Sequence, residues 1–302
     1  MSKIEVVEVG PRDGFQSVRC AAPIASELKL EVIDKLIAAG VKHMEYTSFV
    51  SPKAIPQLAD AQTVTEAVMK KYPGLDLFAL VPNLRGAQNA YELGLRKVCY
   101  VVSLSKSHNK ANINRTHEQS LEAYQEIRAA YPDLEVVVDL ATTFGCPFEG
   151  KYNDPQAVVN FLKDYADAGM TTCCLCDTIG IADPAQVKSV TGELKASYPN
   201  LQLQVHFHDT RGLGMVNTMA AIESGVTEVQ SALGGLGGCP FAPGASGNLS
   251  TEDMVWMLNE MGFKTGVSFS KVLEAAKFQA IHIPGNYSGH HIHIEQESPC
   301  KF

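Results

Sequence analysis

Short apolar runs rich in β-branched and aromatic residues alternate along the chain with longer segments whose apolar residues recur three and four apart. The short runs are IEVVEV (4–9), HMEYTSF (43–49), LFALV (77–81), KVCYVVS (97–103), EVVVDLA (135–141), TCCLCD (172–177), LQVHFHD (203–209) and EVQSAL (228–233). They read as strands. The segments 27–40, 55–72, 84–94, 118–131, 155–169, 184–198 and 215–225 read as helices between them. An eighth helix is expected over STEDMVWMLNEMG (250–262). Several of these segments end in glycine, the residue expected just past a helix C-terminus.

Strands separated by helices must pair in parallel, because a crossover is needed to return the chain to the same edge. Eight such units argue for a closed (β/α)8 TIM barrel, class α/β, over an open doubly wound sheet. The open sheet would carry a G-x-G-x-x-G turn after its first strand, and here that turn reads GPRDGFQS. The segment after about residue 265 breaks the repeat. The expected division is therefore residues 1–265 as the catalytic barrel and 266–302 as a C-terminal extension packing on the barrel or on a neighbouring subunit.

The 302 residues are 45% hydrophobic and 19% charged, with a formal net charge of −8. That composition fits a soluble globular protein with a large core. The negative charge argues against nucleic acid as a partner, which needs a basic face. No apolar run approaches a membrane span, and MSKIEVVEVG reads as the lead into a strand rather than a signal or transit peptide. The eight cysteines are expected to be free thiols in a reducing, cytoplasmic setting. Cys173, Cys174 and Cys176 lie inside an apolar strand and are read as small buried hydrophobes, not zinc ligands.

In a barrel of this class the reactive groups stand at the C-terminal ends of the strands. Those positions hold Arg12 and Asp13 after strand one, Glu45 with Thr47 and Ser48 in strand two, Asp177 at the end of strand six, and His206 and His208 at the end of strand seven. The glycine-rich loop GLGGCPFAPGASGN (235–248), with Cys239 and Asn248, follows strand eight. Residues two apart on a strand face the same side, so His206 and His208 share one face. Closure would place strand seven beside eight and eight beside one, so that Asp13, His206, His208 and Asn248 meet at one mouth. Two imidazole nitrogens and two hard oxygens suit a divalent cation, Mg²⁺ or Mn²⁺ first, with Zn²⁺ or Co²⁺ as further candidates. The tail GHHIHI holds histidines at 290, 291 and 293, with no carboxylate partner in view from the sequence.

Six motifs, VEVGPRDGFQ (7–16), TSFVSPK (47–53), GCPFEGK (145–151), DTIGIADP (177–184), HFHDTRGLGMVN (206–217) and GLGGCPFAPGASGNLSTED (235–253), resemble those of the 3-hydroxy-3-methylglutaryl-CoA lyase family of metal-dependent TIM-barrel lyases. The resemblance runs over most of the chain in the same order. It implies a retro-Claisen cleavage of a tertiary 3-hydroxyacyl-CoA, for the namesake substrate into acetyl-CoA and acetoacetate. It implies Arg12, Cys239, His206, Asp177 and Glu45 as catalytic residues and Gln16, Arg19 and Ser48 as substrate-binding ones. Cys239 would ride on a mobile lid and do acid/base work. An acyl-CoA partner and a homo-oligomer, dimer or tetramer, are expected. The chain departs from the family pattern in GFQSVRC of the first loop, in DLATTFG of strand five and in YSGHH of the tail. A lyase for a related 3-hydroxy-3-alkyl acyl-CoA, or a Claisen-condensing synthase, therefore stays open as an alternative. The terminal Pro-Cys-Lys-Phe is similar to a cysteine motif that in some relatives forms an intersubunit disulfide, here through Cys300, with a solvated tail thiol as the other reading.

Overall fold

The structure, a computed structural model, describes residues 2–238 and 247–294. Its core is a ring of eight parallel strands: β1 (Glu5–Glu8), β2 (His43–Ser48), β3 (Asp76–Leu80), β4 (Lys97–Ser103), β5 (Glu135–Ala141), β8 (Thr172–Asp177), β9 (Gln202–Phe207) and β10 (Glu228–Ser231). They pair in that order and β10 closes back on β1, giving a (β/α)8 TIM barrel. A small antiparallel hairpin, β6 (Gly145–Cys146) and β7 (Gly150–Lys151), decorates the loop after β5. All eight strand-like runs of the sequence form barrel strands.

The helices are α1 (Ser26–Ala38), α2 (Ala61–Lys71), α3 (Leu84–Glu92), α4 (Lys106–Ile113), α5 (His117–Ala130), α6 (Pro155–Asp167), α7 (Pro184–Ser197), α8 (Gly214–Glu223), α9 (Thr251–Glu260) and α10 (Phe269–His282). Six of their starts carry a side-chain cap. Thr116 and Gln119 form a reciprocal capping box on α5, and Asp154 and Asp183 cap α6 and α7 ahead of prolines that suit the first helical turn. Helices α4 and α10 stand outside the sequence reading. The first is short and polar, and the second follows no strand.

Helix α10 seals the ring against α1, with the Ser268 amide donating to the Ala39 carbonyl at 2.7 Å. The approach is close: a Cβ on Gly40, whose φ is +106°, would lie 2.4 Å from the Gly266 carbonyl oxygen. The Gln279 side chain donates to the Leu233 carbonyl at 3.0 Å, tying α10 to the end of β10. The strands are apolar on both faces, as parallel strands sandwiched between helices and a filled interior must be. Val6, Met44, Tyr46, Leu77, Tyr100 and Val138 pack outward in the main core. Val7, Val9, Phe78, Cys99, Val137, Cys174 and Cys176 fill the barrel itself.

The N-terminal end of the barrel is plugged by first residues of its strands. His43 lies 2.7 Å from Glu5 and 2.9 Å from Asp76. Lys97 pairs with Asp76 at 2.8 Å and with Glu135 at 3.5 Å, and Gln202 and Gln204 donate to Glu228. The Asp76 hydrogen bond raises the His43 pKa, with burial opposing and the Glu5 charge assisting. A raised folded-state pKa means that the imidazolium stabilises the fold below the ordinary histidine value and that this contribution fades as pH rises through the raised value. Chemical denaturation of the protein and of His43→Gln should therefore show a stability gap that is widest below about pH 6 and narrows as pH rises beyond the ordinary histidine value. A gap that widens with pH would contradict the assignment.

Candidate active site

Asp13 and Arg12 reach the mouth because the chain coils as it leaves β1. Gly10–Gly14 forms one wide helical turn, and the Asp13 amide donates to the Val9 carbonyl at 2.7 Å. His206 and His208 project from β9 and its end, with ring centroids 5.2 Å apart. Asn248 returns antiparallel to His208 in an isolated bridge. Gly237 makes room for that amide, since a Cβ there would fall 2.6 Å from Asn248 Nδ2. Asp13, His206 and His208 offer ligand atoms that all lie within 4.8 Å of one another.

Asp13 sits at the centre of this geometry. Arg12 Nη1 donates to its Oδ1 at 2.7 Å, Gln16 Nε2 donates to the same oxygen, and Asn248 Nδ2 donates to Oδ2 at 2.7 Å. Arg12 spreads its fork, giving Nη2 to Glu45 Oε2 at 2.6 Å. Burial alone would raise the Asp13 pKa, but the Arg12 guanidinium and the two imidazoles hold it down at about 2. Burial also works against the Arg12 charge, and Glu45 and Asp13 outweigh it, so Arg12 titrates above the ordinary arginine range. Burial pushes Glu45 up while Arg12 pulls it back. Burial lowers His206, and burial with the His206 neighbour lowers His208 to about 4. Both imidazoles are thus neutral at neutral pH, the state a metal ligand requires.

The donor set fits a divalent cation. The His206 Nδ1 is engaged with Gln230 Oε1 at 3.0 Å, which leaves its Nε2 for the mouth. Asn248 Oδ1 and His208 Nδ1 are buried with no hydrogen-bond partner among the described residues. Asn248 meets Asp13 through its N–H₂, and the same amide turned over would offer its unpartnered oxygen. Behind His206 the Gln230 amide donates to Gln204 at 3.1 Å, and Gln204 donates to Glu228. That chain fixes the ring from the second layer.

The other expected site residues are placed as follows. Ser48 is buried at the end of β2 and accepts the Val50 amide at 3.3 Å. Asp177 is buried at the end of β8, where its carboxylate accepts the amides of Ile181 and Ala182 at 2.9 and 3.0 Å. It anchors the loop after β8 and its charge reaches His208. Arg19 is exposed beyond the first turn and takes part in none of these hydrogen bonds. Cys239 and Cys300 lie outside the described residues. Cys173, Cys174 and Cys176 are buried free thiols, as read from the sequence.

Sequence reasoning missed several groups. Gln204, Gln230, Cys99 and Asp139 face the barrel interior, and the signal was there as polar side chains inside apolar strands. It also missed the partner of the tail histidines. The His290 and His291 rings and backbone amides all converge on the Asp253 carboxylate of α9, and residues 291–293 form a short helical turn rather than an extended strand.

Known proteins resemble this chain in both sequence and fold. The HMGL-like family model matches residues 3–278. A hydroxymethylglutaryl-CoA lyase of Bacillus subtilis is 42% identical over 278 residues, 91% of this chain and 92% of the relative. The mitochondrial hydroxymethylglutaryl-CoA lyase of Homo sapiens is 39% identical, over 91% of this chain and 84% of the relative. Among solved structures, the B. subtilis HMG-CoA lyase superposes with a TM-score of 0.90 at 40% identity, covering 97% of each chain. An HMG-CoA lyase from Acinetobacter baumannii, in complex with coenzyme A and 3-methylmalate, gives 0.91 at 36% identity, over 98% of this chain and 96% of that one. With the barrel, the Arg-Asp turn after β1 and these matches in place, the chain belongs to the HMGL-like family.

Proposed function

We propose that the protein cleaves 3-hydroxy-3-methylglutaryl-CoA to acetyl-CoA and acetoacetate in a divalent-metal-dependent retro-Claisen reaction. The observation that carries the reading is the convergence of Asp13, His206 and His208 within 4.8 Å of one another, beside an arginine held by two carboxylates. Asp13, His206, His208 and Asn248 would hold the metal. Bound there, Mg²⁺ or Mn²⁺ would supply Lewis acidity toward the substrate's hydroxyl and carbonyl oxygens.

The chain's own residues account for the rest. Cleavage drives negative charge onto the thioester oxygen, and Arg12 supplies a permanent cation against it. Asp13 and Glu45 fix the plane of that guanidinium before substrate arrives, so little reorganisation accompanies the reaction. His206, oriented by Gln230 through Nδ1, is the group we assign to moving the hydroxyl proton, a step that needs its Nε2 free of the metal. Cys239 on the loop after β10 is assigned to protonating the enolate carbon, with the loop excluding water. Gln16, which donates to Asp13, and Ser48 are assigned to the substrate, as is Arg19 at the exposed rim. Asp177 holds the loop after β8 and tunes His208.

Residues 1–265 are assigned to the catalytic barrel and 266–302 to the extension. The exposed Trp256, Met261 and Ile281 around α9 and α10 support a homo-oligomer. The six cysteines among the described residues are free thiols, which supports a reducing, cytoplasmic setting. No helix of the described residues is long and apolar enough to cross a membrane.

Chelation should abolish turnover and added Mg²⁺ or Mn²⁺ should restore it; full activity of metal-stripped protein would remove the ligand assignment. Arg12→Lys replaces a fork by a point charge, and its kcat should fall by about 10²–10³-fold with the thermal midpoint little changed. Cys239→Ser should lower kcat by about 10²–10⁴-fold; unchanged turnover would assign the acid step elsewhere. A panel of 3-hydroxy-3-alkylglutaryl-CoA thioesters, with both products scored by mass spectrometry, separates the methyl substrate from its larger relatives. Release of free CoA from acetyl-CoA and 2-oxo acids would instead identify a condensing enzyme.

A further inference from the structure

Beneath Arg12 the barrel interior holds a second cluster, Glu45 on β2, Cys99 on β4 and Asp139 on β5, whose donor atoms lie within 4.8 Å of one another. Glu45 and Cys99 are 0% exposed and Asp139 is 4% exposed. The Cys99 sulfur sits between the two acids, 3.4 Å from Glu45 Oε1 and 3.0 Å from Asp139 Oδ2. Glu45 Oε2 takes the Arg12 N–H at 2.6 Å. Asp139 Oδ1 has no hydrogen-bond partner among the described residues.

A thiol has one proton, so it can donate to only one of two flanking carboxylates. The other acid must bring its own proton and use the sulfur as acceptor. Glu45 has a guanidinium on its far oxygen and is the natural anion. An ionised Asp139 would be a buried carboxylate with one weak donor at most, an arrangement that desolvation strongly disfavours. We propose that Asp139 is a positioning residue for the cleavage: it stays protonated, donates to Cys99, and leaves the Cys99 S–H to fix Glu45 as the carboxylate that orients Arg12.

The charges around Asp139 support this order. Cys99 faces it from β4, Glu45 from β2, and Arg12 and Asp13 from the turn after β1, while on the neighbouring β8 burial, with its charge adding, raises the pKa of the Cys173, Cys174 and Cys176 thiols and so keeps them neutral. Burial, followed by the Glu45 charge, pushes Asp139 up to about 7, against the lowering by Cys99 and Arg12. Deprotonation would put a third carboxylate around one guanidinium. The catalytic half of the proposal rests on the lyase reading above, whereas the protonation half is independent of it.

The test joins infrared difference spectroscopy of the metal-loaded enzyme to its kinetics. At about pH 6 the wild-type minus Asp139→Asn spectrum should show one carbonyl stretch of a carboxylic acid, shifted in D₂O. Cys99→Ala should remove a hydrogen-bonded S–H stretch and shift the acid band. With 3-hydroxy-3-methylglutaryl-CoA, Asp139→Ala should lose roughly tenfold in kcat/KM, the size expected for one lost hydrogen bond. Asp139→Asn, a neutral donor of the same shape, should recover most of it. It should also lack the fall in kcat/KM above neutral pH that Asp139 ionisation brings to the wild type. A missing acid band would overturn the protonation, whatever substrate the enzyme turns over. An intact band with unaltered kcat/KM and pH profile in Asp139→Ala would overturn the positioning role. Stoichiometric Zn²⁺ in the purified protein that is lost in Cys99→Ala would replace the proton by a cation and overturn both.

Discussion

The pairing of β1 with β10 is the constraint on which the site depends. It brings the turn after β1, which carries Arg12 and Asp13, beside the strand that precedes Asn248, with β9 and its histidines next in the ring. The seam is fastened by backbone bonds, Glu5 to Thr227 and Val9 to Ser231, each 2.8 Å. One buried side chain fastens it from outside. Glu8 accepts from the Gly10 amide at 2.7 Å, the Leu233 amide at 2.9 Å and the Thr251 hydroxyl at 2.6 Å. A single carboxylate thus joins the first turn to the segments on either side of the glycine-rich loop, and burial pushes its pKa up to about 7. Residues more than 190 positions apart meet because the sheet has no free edge.

Within that frame one guanidinium organises the polar groups. Arg12 gives one nitrogen to Asp13 and another to Glu45. The first partner belongs to the candidate metal cluster and the second to the acid–thiol cluster below it. Such buried ion pairs contribute little net stability, because desolvation offsets their attraction. In the proposed cleavage their use is geometric: a cation is held in place before substrate charge develops. The same logic runs through Gln204 and Gln230, which spend buried hydrogen bonds on the orientation of His206.

Much of this was legible in the sequence. The eight strands were, because short β-branched runs alternate with helical-period segments. The meeting of Asp13, His206, His208 and Asn248 was, because the spacing of His206 and His208 fixes their common face and the barrel order supplies their neighbours. The Arg-Asp turn was legible in the VEVGPRDGFQ motif. Helix α4 was not, since KSHNKANI has no apolar stripe and forms under the Ser105 cap. Helix α10 follows no strand and so falls outside the repeat. Asp139 and Cys99 stood out as polar residues in apolar strands, but which way they point was hidden, because a strand buried on both faces shows no alternation from which its inward set can be read. The Asp253–histidine contact depends on the tail folding back over α9, which no local pattern records.

The central claim is that one cation site is assembled from three distant segments of the chain. Anomalous scattering from crystals of the enzyme loaded with Mn²⁺ tests it most directly. The account predicts one strong peak per chain, bonded to the Asp13 carboxylate, the His206 and His208 imidazoles and the Asn248 amide oxygen. A peak at the Glu45–Cys99–Asp139 cluster, or an active manganese-loaded enzyme with no peak between residues 13, 206, 208 and 248, would contradict it.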